Sequence, residues 1–265
     1  MVRGLFRKYG DEPPPMPVLA GVLRAARALS FDAQRKWAER MLERTWPATL
    51  DALTADPMPH AGVALALART CGLRGVQKRA SYELLRTPTF GQAIAGAGAT
   101  AEAKKEKGGT GADAEAEAEA GWGELGEVRR ADLLRFLHAR ELLGLAWAEV
   151  AGVAPTDFAC PRGAQTQLQM QMQQPERGAV GSGCASANVD RVHARWAELV
   201  HSSGLYVQRM VDPLIGLQDL VGIAWKDEGF CKKCVAARRN AWGELRRRLW
   251  DDLDVWLELN VEEVD

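Results

Sequence analysis

Cys231 and Cys234 stand three apart in "GFCKKCVAARRNAW", the tightest pairing of metal-binding or redox side chains in the sequence. A Cys-x-x-Cys step presents two sulfurs to one tetrahedral zinc ion, and it also serves dithiol redox chemistry. Zinc needs two further ligands. Cys160, Cys184, His193 and His201 are available, but none recreates a second close pair, and Cys160 and Cys184 flank a low-complexity stretch. A redox pair belongs at a helix start in a thioredoxin-like βαβ setting, which is absent here. Both thiols also lie near the apolar stripe of a helix, where a free cysteine packs as a small hydrophobe. We read Cys231 and Cys234 as packed thiols, with zinc bound through them as the alternative.

Other chemistry finds little support. There is no phosphate-cradling glycine loop, no dinucleotide turn, no His-Glu-x-x-His and no serine elbow. The acid pairs Asp251/Asp252 and Glu262/Glu263 sit in a charged tail and read as a solvated face. His138 reads as a packed or half-exposed core histidine, and His60 as a helix-start residue. Arg238, Arg239, Arg246, Arg247 and Arg248 precede Asp251, Asp252, Asp254 and Glu258. Arg247 with Asp251 and Arg248 with Asp252 then form i,i+4 pairs. A DNA-reading helix keeps its basic face uncompensated, and a net charge of −1 draws the chain to neither nucleic acid nor an anionic membrane. No catalytic residue, cofactor or small-molecule substrate is expected.

The elements that would position these residues are helical. Ala, Leu, Arg and Glu dominate, and unbranched side chains lose little rotamer freedom in a helix. No strand pattern emerges, so the fold class is all-α. "LRAARALSFDAQRKWAERMLERT" (23–45) aligns without gaps on "LALARTCGLRGVQKRASYELLRT" (65–87). Each copy reads as two helices around a break at Ser30 or Gly72, and two such hairpins are expected to stack. After an N-terminal tail (1–16), paired hairpins occupy 17–91, and 92–126 reads as a disordered, Gly/Ala-rich insertion. A helix of the same domain follows in 127–159, with a stripe of Leu133, Leu134, Leu137, Leu142, Leu145, Ala146 and Val150. A second insertion is expected at 160–188, then a helical part at 189–259 and an acidic tail at 260–265. The last helix should run from about Cys231 to Leu257 on Val235, Trp242, Leu245, Leu249, Leu253 and Trp256.

Three stretches also resemble the helical closing part of basidiomycete fungal BTB/POZ-domain proteins, including their BACK-like region. They are "VLAGVLRAARALSFDAQRKWAERML" after the Pro-rich "DEPPPMP", "PMPHAGVALALARTCGLRGVQKRASYELLRT", and "FLHARELL" with the closing "FCKKCVAARRNAWGEL". The strand-rich BTB part has no room before residue 17, so the chain is expected to lack most of it. The resemblance implies a non-catalytic protein-interaction scaffold that offers a groove between stacked helices to a protein partner. The alternative is a zinc-stabilised regulatory or nucleic-acid-associated module using Cys231 and Cys234. With no signal-like N-terminus, no membrane-length apolar run and an odd, scattered set of five cysteines, an intracellular location is expected.

Overall fold

The computed structural model describes residues 9–87, 90, 130–155, 160 and 184–259. Among these residues it contains nine α-helices and no strand. Two compact units are present, one formed by 1–140 with 252–265 and the other by 141–251. The boundaries, at 140/141 and 251/252, fall inside two long helices.

In the first unit, α1 (Met16–Ala28) and α2 (Asp32–Thr45) form one hairpin. A second is formed by α3 (Ala61–Cys71) and α4 (Arg74–Leu85). The hairpins stack, α1 on α3 and α2 on α4. The internal repeat is a backbone repeat. Ser30 and Gly72, aligned in sequence, both turn left-handed, at φ 54° and 69°. The next residue reaches back identically in each copy, Phe31 N–H to the Ala26 carbonyl (2.7 Å) and Leu73 N–H to the Ala68 carbonyl (2.9 Å). With the Ser30 and Gly72 N–H groups on the Arg27 and Arg69 carbonyls, these are Schellman closures, which absorb carbonyls left over at a helix end. At the far ends, Thr45 and Thr87 each donate a hydroxyl to the carbonyl four residues earlier, both at 2.9 Å.

The two copies differ in their interior. The first buries Trp37 and Met41, whereas the second puts Arg79 and Glu83 at the aligned positions. Glu83 has a fully buried carboxylate that accepts from Arg79 Nε at 2.9 Å and Arg86 Nε at 2.7 Å. It also accepts from the Met58 backbone N–H at 3.0 Å. The arginines extend onward to the carbonyls of Pro47 (3.3 Å), Thr54 (2.6 Å) and Asp56 (2.8 Å). A buried ion set survives only when its hydrogen-bonding groups are satisfied. Here it clasps the α2–α3 connection onto α4.

Helix α5 (Arg130–Ala151) turns a different face inward from the one expected. Phe136, Ala139, Leu143, Trp147 and Ala151 are buried, at steps of three and four, while Leu134, Leu137 and Leu145 are exposed. Its leucines lie on both sides, so counting them picks the wrong stripe. The aromatic residues decide the matter, because they bury the most area. At its start Asp132, itself buried, accepts from Arg69 at 2.7 Å. His138 is exposed rather than packed.

The second unit adds α6 (Val189–Trp196), which continues into a π-turn at Ala197–Ser202, then α7 (Leu205–Gln208), α8 (Pro213–Gly222) and α9 (Lys232–Trp256). α6 buries Val192 and Trp196, followed by Val200 in the π-turn, with Leu199 half-buried. α9 buries Val235, Trp242, Leu249 and Leu253, while Leu245 and Trp256 are half-buried. Trp147 packs so tightly on α8 that a Cβ at Gly216 would lie 2.6 Å from its ring. Among the described residues, Arg247 and Arg248 form no ion pair with Asp251 or Asp252. Arg246 instead donates to the Leu214 carbonyl (2.9 Å) and the Gln218 side chain (2.7 Å). The low-complexity stretch 92–126 and the tail 260–265 lie outside the described residues. The second stretch is structured at its edges: Cys160 is buried, and Ala185–Ala187 forms a 3₁₀ turn.

Candidate metal centre

A layer of aromatic rings underlies the Cys-x-x-Cys segment in the second unit. Trp196 stacks on Trp225 at 5.8 Å, and Trp242 lies 5.6 Å from Trp225. Phe230 meets Trp225 edge-on at 5.6 Å. Indole N–H groups in this layer are satisfied locally, Trp196 by the Ala151 carbonyl and Trp225 by the Leu220 carbonyl. The chain rises from Trp225 through a tight loop to Gly229, whose φ of 85° suits glycine. A Cβ there would meet Arg191 at 2.9 Å. Cys231 then caps α9, its carbonyl accepting from Val235 N–H at 3.0 Å. Cys234 follows in the first turn, so both sulfurs sit at the positive end of a 25-residue helix.

Two further cysteines are brought to this point. Ala185 N–H donates to the Gly229 carbonyl at 2.9 Å, pinning the 3₁₀ turn beside the loop and placing Cys184 next to Cys231. The Cys231 backbone N–H donates to Cys184 Sγ at 3.1 Å. Cys160 arrives from the segment that leaves α5. That segment is held by Arg238, a buried residue of α9 that donates to the Pro155 carbonyl at 2.9 Å. The Arg238 guanidinium also lies 5.4 Å over the Phe230 ring.

The sulfurs of Cys160, Cys184, Cys231 and Cys234 all lie within 4.8 Å of one another. Cys160 and Cys231 are 3.8 Å apart, Cys184 and Cys234 3.9 Å. All four are free thiols. Tetrahedral zinc with Zn–S bonds of about 2.3 Å requires S···S edges of about 3.8 Å, a length that these two edges match. The donor set is soft sulfur throughout, which suits zinc over calcium or magnesium.

The electrostatics divide the four. Burial raises the Cys184 thiol, but hydrogen bonds from the Cys231 and Ser186 backbones and from the Ser186 hydroxyl outweigh it and bring the group down to about 7. Burial pushes Cys234 up to about 12, against the Ser186 hydroxyl and reinforced by the Cys231, Cys160 and Cys184 sulfurs. One sulfur thus carries negative charge readily, and a neighbouring one holds its proton.

The sequence-derived pair, Cys231 and Cys234, is therefore joined by Cys160 and Cys184. His193 and His201 are exposed and do not join the sulfurs. His201 tilts against the Tyr206 ring at 5.2 Å. The fifth cysteine, Cys71, is in the first unit, where burial, then the Glu39 carboxylate, raises its thiol. A cavity of about 380 Å³ lies between α1 and α3, floored by Leu23 and Leu67 and flanked by Arg24 and Arg27. No described helix is long and apolar enough to cross a membrane. No protein-family model, curated protein or solved structure matches the chain.

Proposed function

We propose that this chain is a non-catalytic protein-interaction module whose second unit is organised by one structural zinc ion on Cys160, Cys184, Cys231 and Cys234. The carrying observation is the convergence of four sulfurs from three separate chain segments at tetrahedral spacing. Four thiolates fill the coordination of zinc and leave no position for water or substrate, so the ion stabilises and does not catalyse. Four thiolates on one divalent ion leave two negative charges. The N-terminus of α9 opposes them. In the first unit, stacked hairpins with an apolar groove between α1 and α3 supply a surface of the kind helical repeats use for partners. The likeness to the helical part of fungal BTB-domain proteins supports the same role. We assign the chain a protein partner and no nucleic acid.

Zinc per chain in protein purified without chelator tests the reading. We expect about one zinc ion per chain in the native protein and almost none in a Cys231→Ser/Cys234→Ser variant. Less than about a tenth of an ion in the native protein would reject the metal.

A further inference from the structure

The turn that leads into the cysteine loop borders a second feature that the metal does not use. We propose that the cleft between residues 224–227 and the first two turns of α9 docks an acidic peptide segment of a partner protein. The cleft encloses about 520 Å³, and Lys226, Lys232 and Arg239 line it beside a single carboxylate, Asp227. Its floor is apolar, with Ala224, Val235 and Ala236. The turn is closed by Asp227 N–H on the Ala224 carbonyl at 2.9 Å. Arg239 is held by the Ile223 carbonyl at 3.1 Å, which sets the direction of its guanidinium.

Elsewhere on α9, Arg238 holds Pro155, and Arg246 holds Leu214 and Gln218. Lys226 and Lys232 are exposed and form no ion pair among the described residues. Two uncommitted ammonium groups and an oriented guanidinium around an apolar floor suit carboxylates spaced along a peptide with small apolar side chains between them. A phosphate backbone fits less well. Asp227 repels it but accepts a peptide N–H, none of these lining residues is an aromatic ring for a base to stack on, and the net charge is −1.

This inference rests on the interaction reading and not on the metal. Zinc content reports on one and peptide affinity on the other, both measured on the same full-length protein. The probe is a short fluorescein-labelled peptide alternating Glu and Leu, followed by anisotropy. We expect saturable binding that weakens with added salt and falls about tenfold or more in Lys226→Glu/Lys232→Glu. Lys36→Glu, at an exposed lysine of α2, should leave affinity unchanged, and zinc content should be equal in all three proteins. If the charge reversal disturbs the fold, Lys226→Gln/Lys232→Gln carries the same test with the same direction of change. The proposal is overturned if the native protein shows no saturable binding or if the double variant binds as tightly. It is also overturned if inorganic phosphate or an oligothymidylate of equal charge displaces the peptide as well as unlabelled peptide does.

Discussion

Chelating the metal should lower the thermal midpoint of the second unit by about 15 °C. A ligand that binds only the native state stabilises it by about 4 kcal/mol when free ligand exceeds its dissociation constant about a thousandfold. For a unit of roughly a hundred residues, 1 kcal/mol moves the midpoint by about 4 °C. The structure says where the loss would fall. Cys160 follows α5, Cys184 precedes the 3₁₀ turn, and Cys231 and Cys234 open α9. Without the ion, the direct bonds between these segments among the described residues are chiefly Ala185 to Gly229, Cys231 to Cys184 and Arg238 to Pro155. Such bonds contribute about 1 kcal/mol each and do not replace a metal cross-link. Calorimetry with and without chelator reads the midpoint. Hydrogen exchange should show protection lost across 225–242 while 61–85 in α3 and α4 is unchanged. A zinc-loaded protein whose midpoint and exchange across 225–242 both ignore chelation would refute the reasoning.

Three further outcomes are expected. Zinc affinity should fall as pH falls, because the ion displaces protons from its sulfurs. Cys184, down at about 7, is largely ionised above that pH and protonated below it, so affinity should drop more steeply, by about one extra proton per ion, below pH 7 in competition titrations. Glu83→Ala should destabilise the first unit by about 3–5 kcal/mol, since it strands two buried arginines, and denaturant unfolding measures this. The two left-handed turns should respond oppositely. Ser30→Gly should stabilise by about 1 kcal/mol and Gly72→Ser should destabilise by about the same, because only the backbone conformation distinguishes them.

Much of the helical layout was legible because its signals are local. The aligned Ser30 and Gly72 marked the hairpin breaks, and the spacing of Val235, Trp242, Leu249 and Leu253 marked the buried side of α9. The face of α5 was not legible. Its leucines surround the helix, and only packing shows that Phe136 and Trp147 face inward. Nor was the role of Glu83, since a charged residue between two arginines reads as a solvated helix face unless the carbonyls it helps to organise are known. The cluster of four cysteines was half legible. Cys231 and Cys234 announce themselves by spacing, whereas Cys160 and Cys184 are distant from them and from each other. The one hint was that these two stand at opposite edges of the same low-complexity stretch, a placement suited to stitching its ends together.

The clasp on α4 also bears on how a two-copy array keeps its order. The hairpins share a backbone, yet they are not interchangeable parts. Copying the first hairpin over the second would put Trp37 and Met41 in place of Arg79 and Glu83, take the arginine donor from the Pro47 carbonyl, and leave the arginine at the Arg86 position without its carboxylate. Copying the second over the first would put a buried ion set against Gly10 and Asp11, whose carbonyls now take the Trp37 indole and the Arg44 guanidinium. Each hairpin is addressed to its place by what its interior can satisfy. A chimaera with the hairpins exchanged should therefore retain helix content and lose cooperative unfolding.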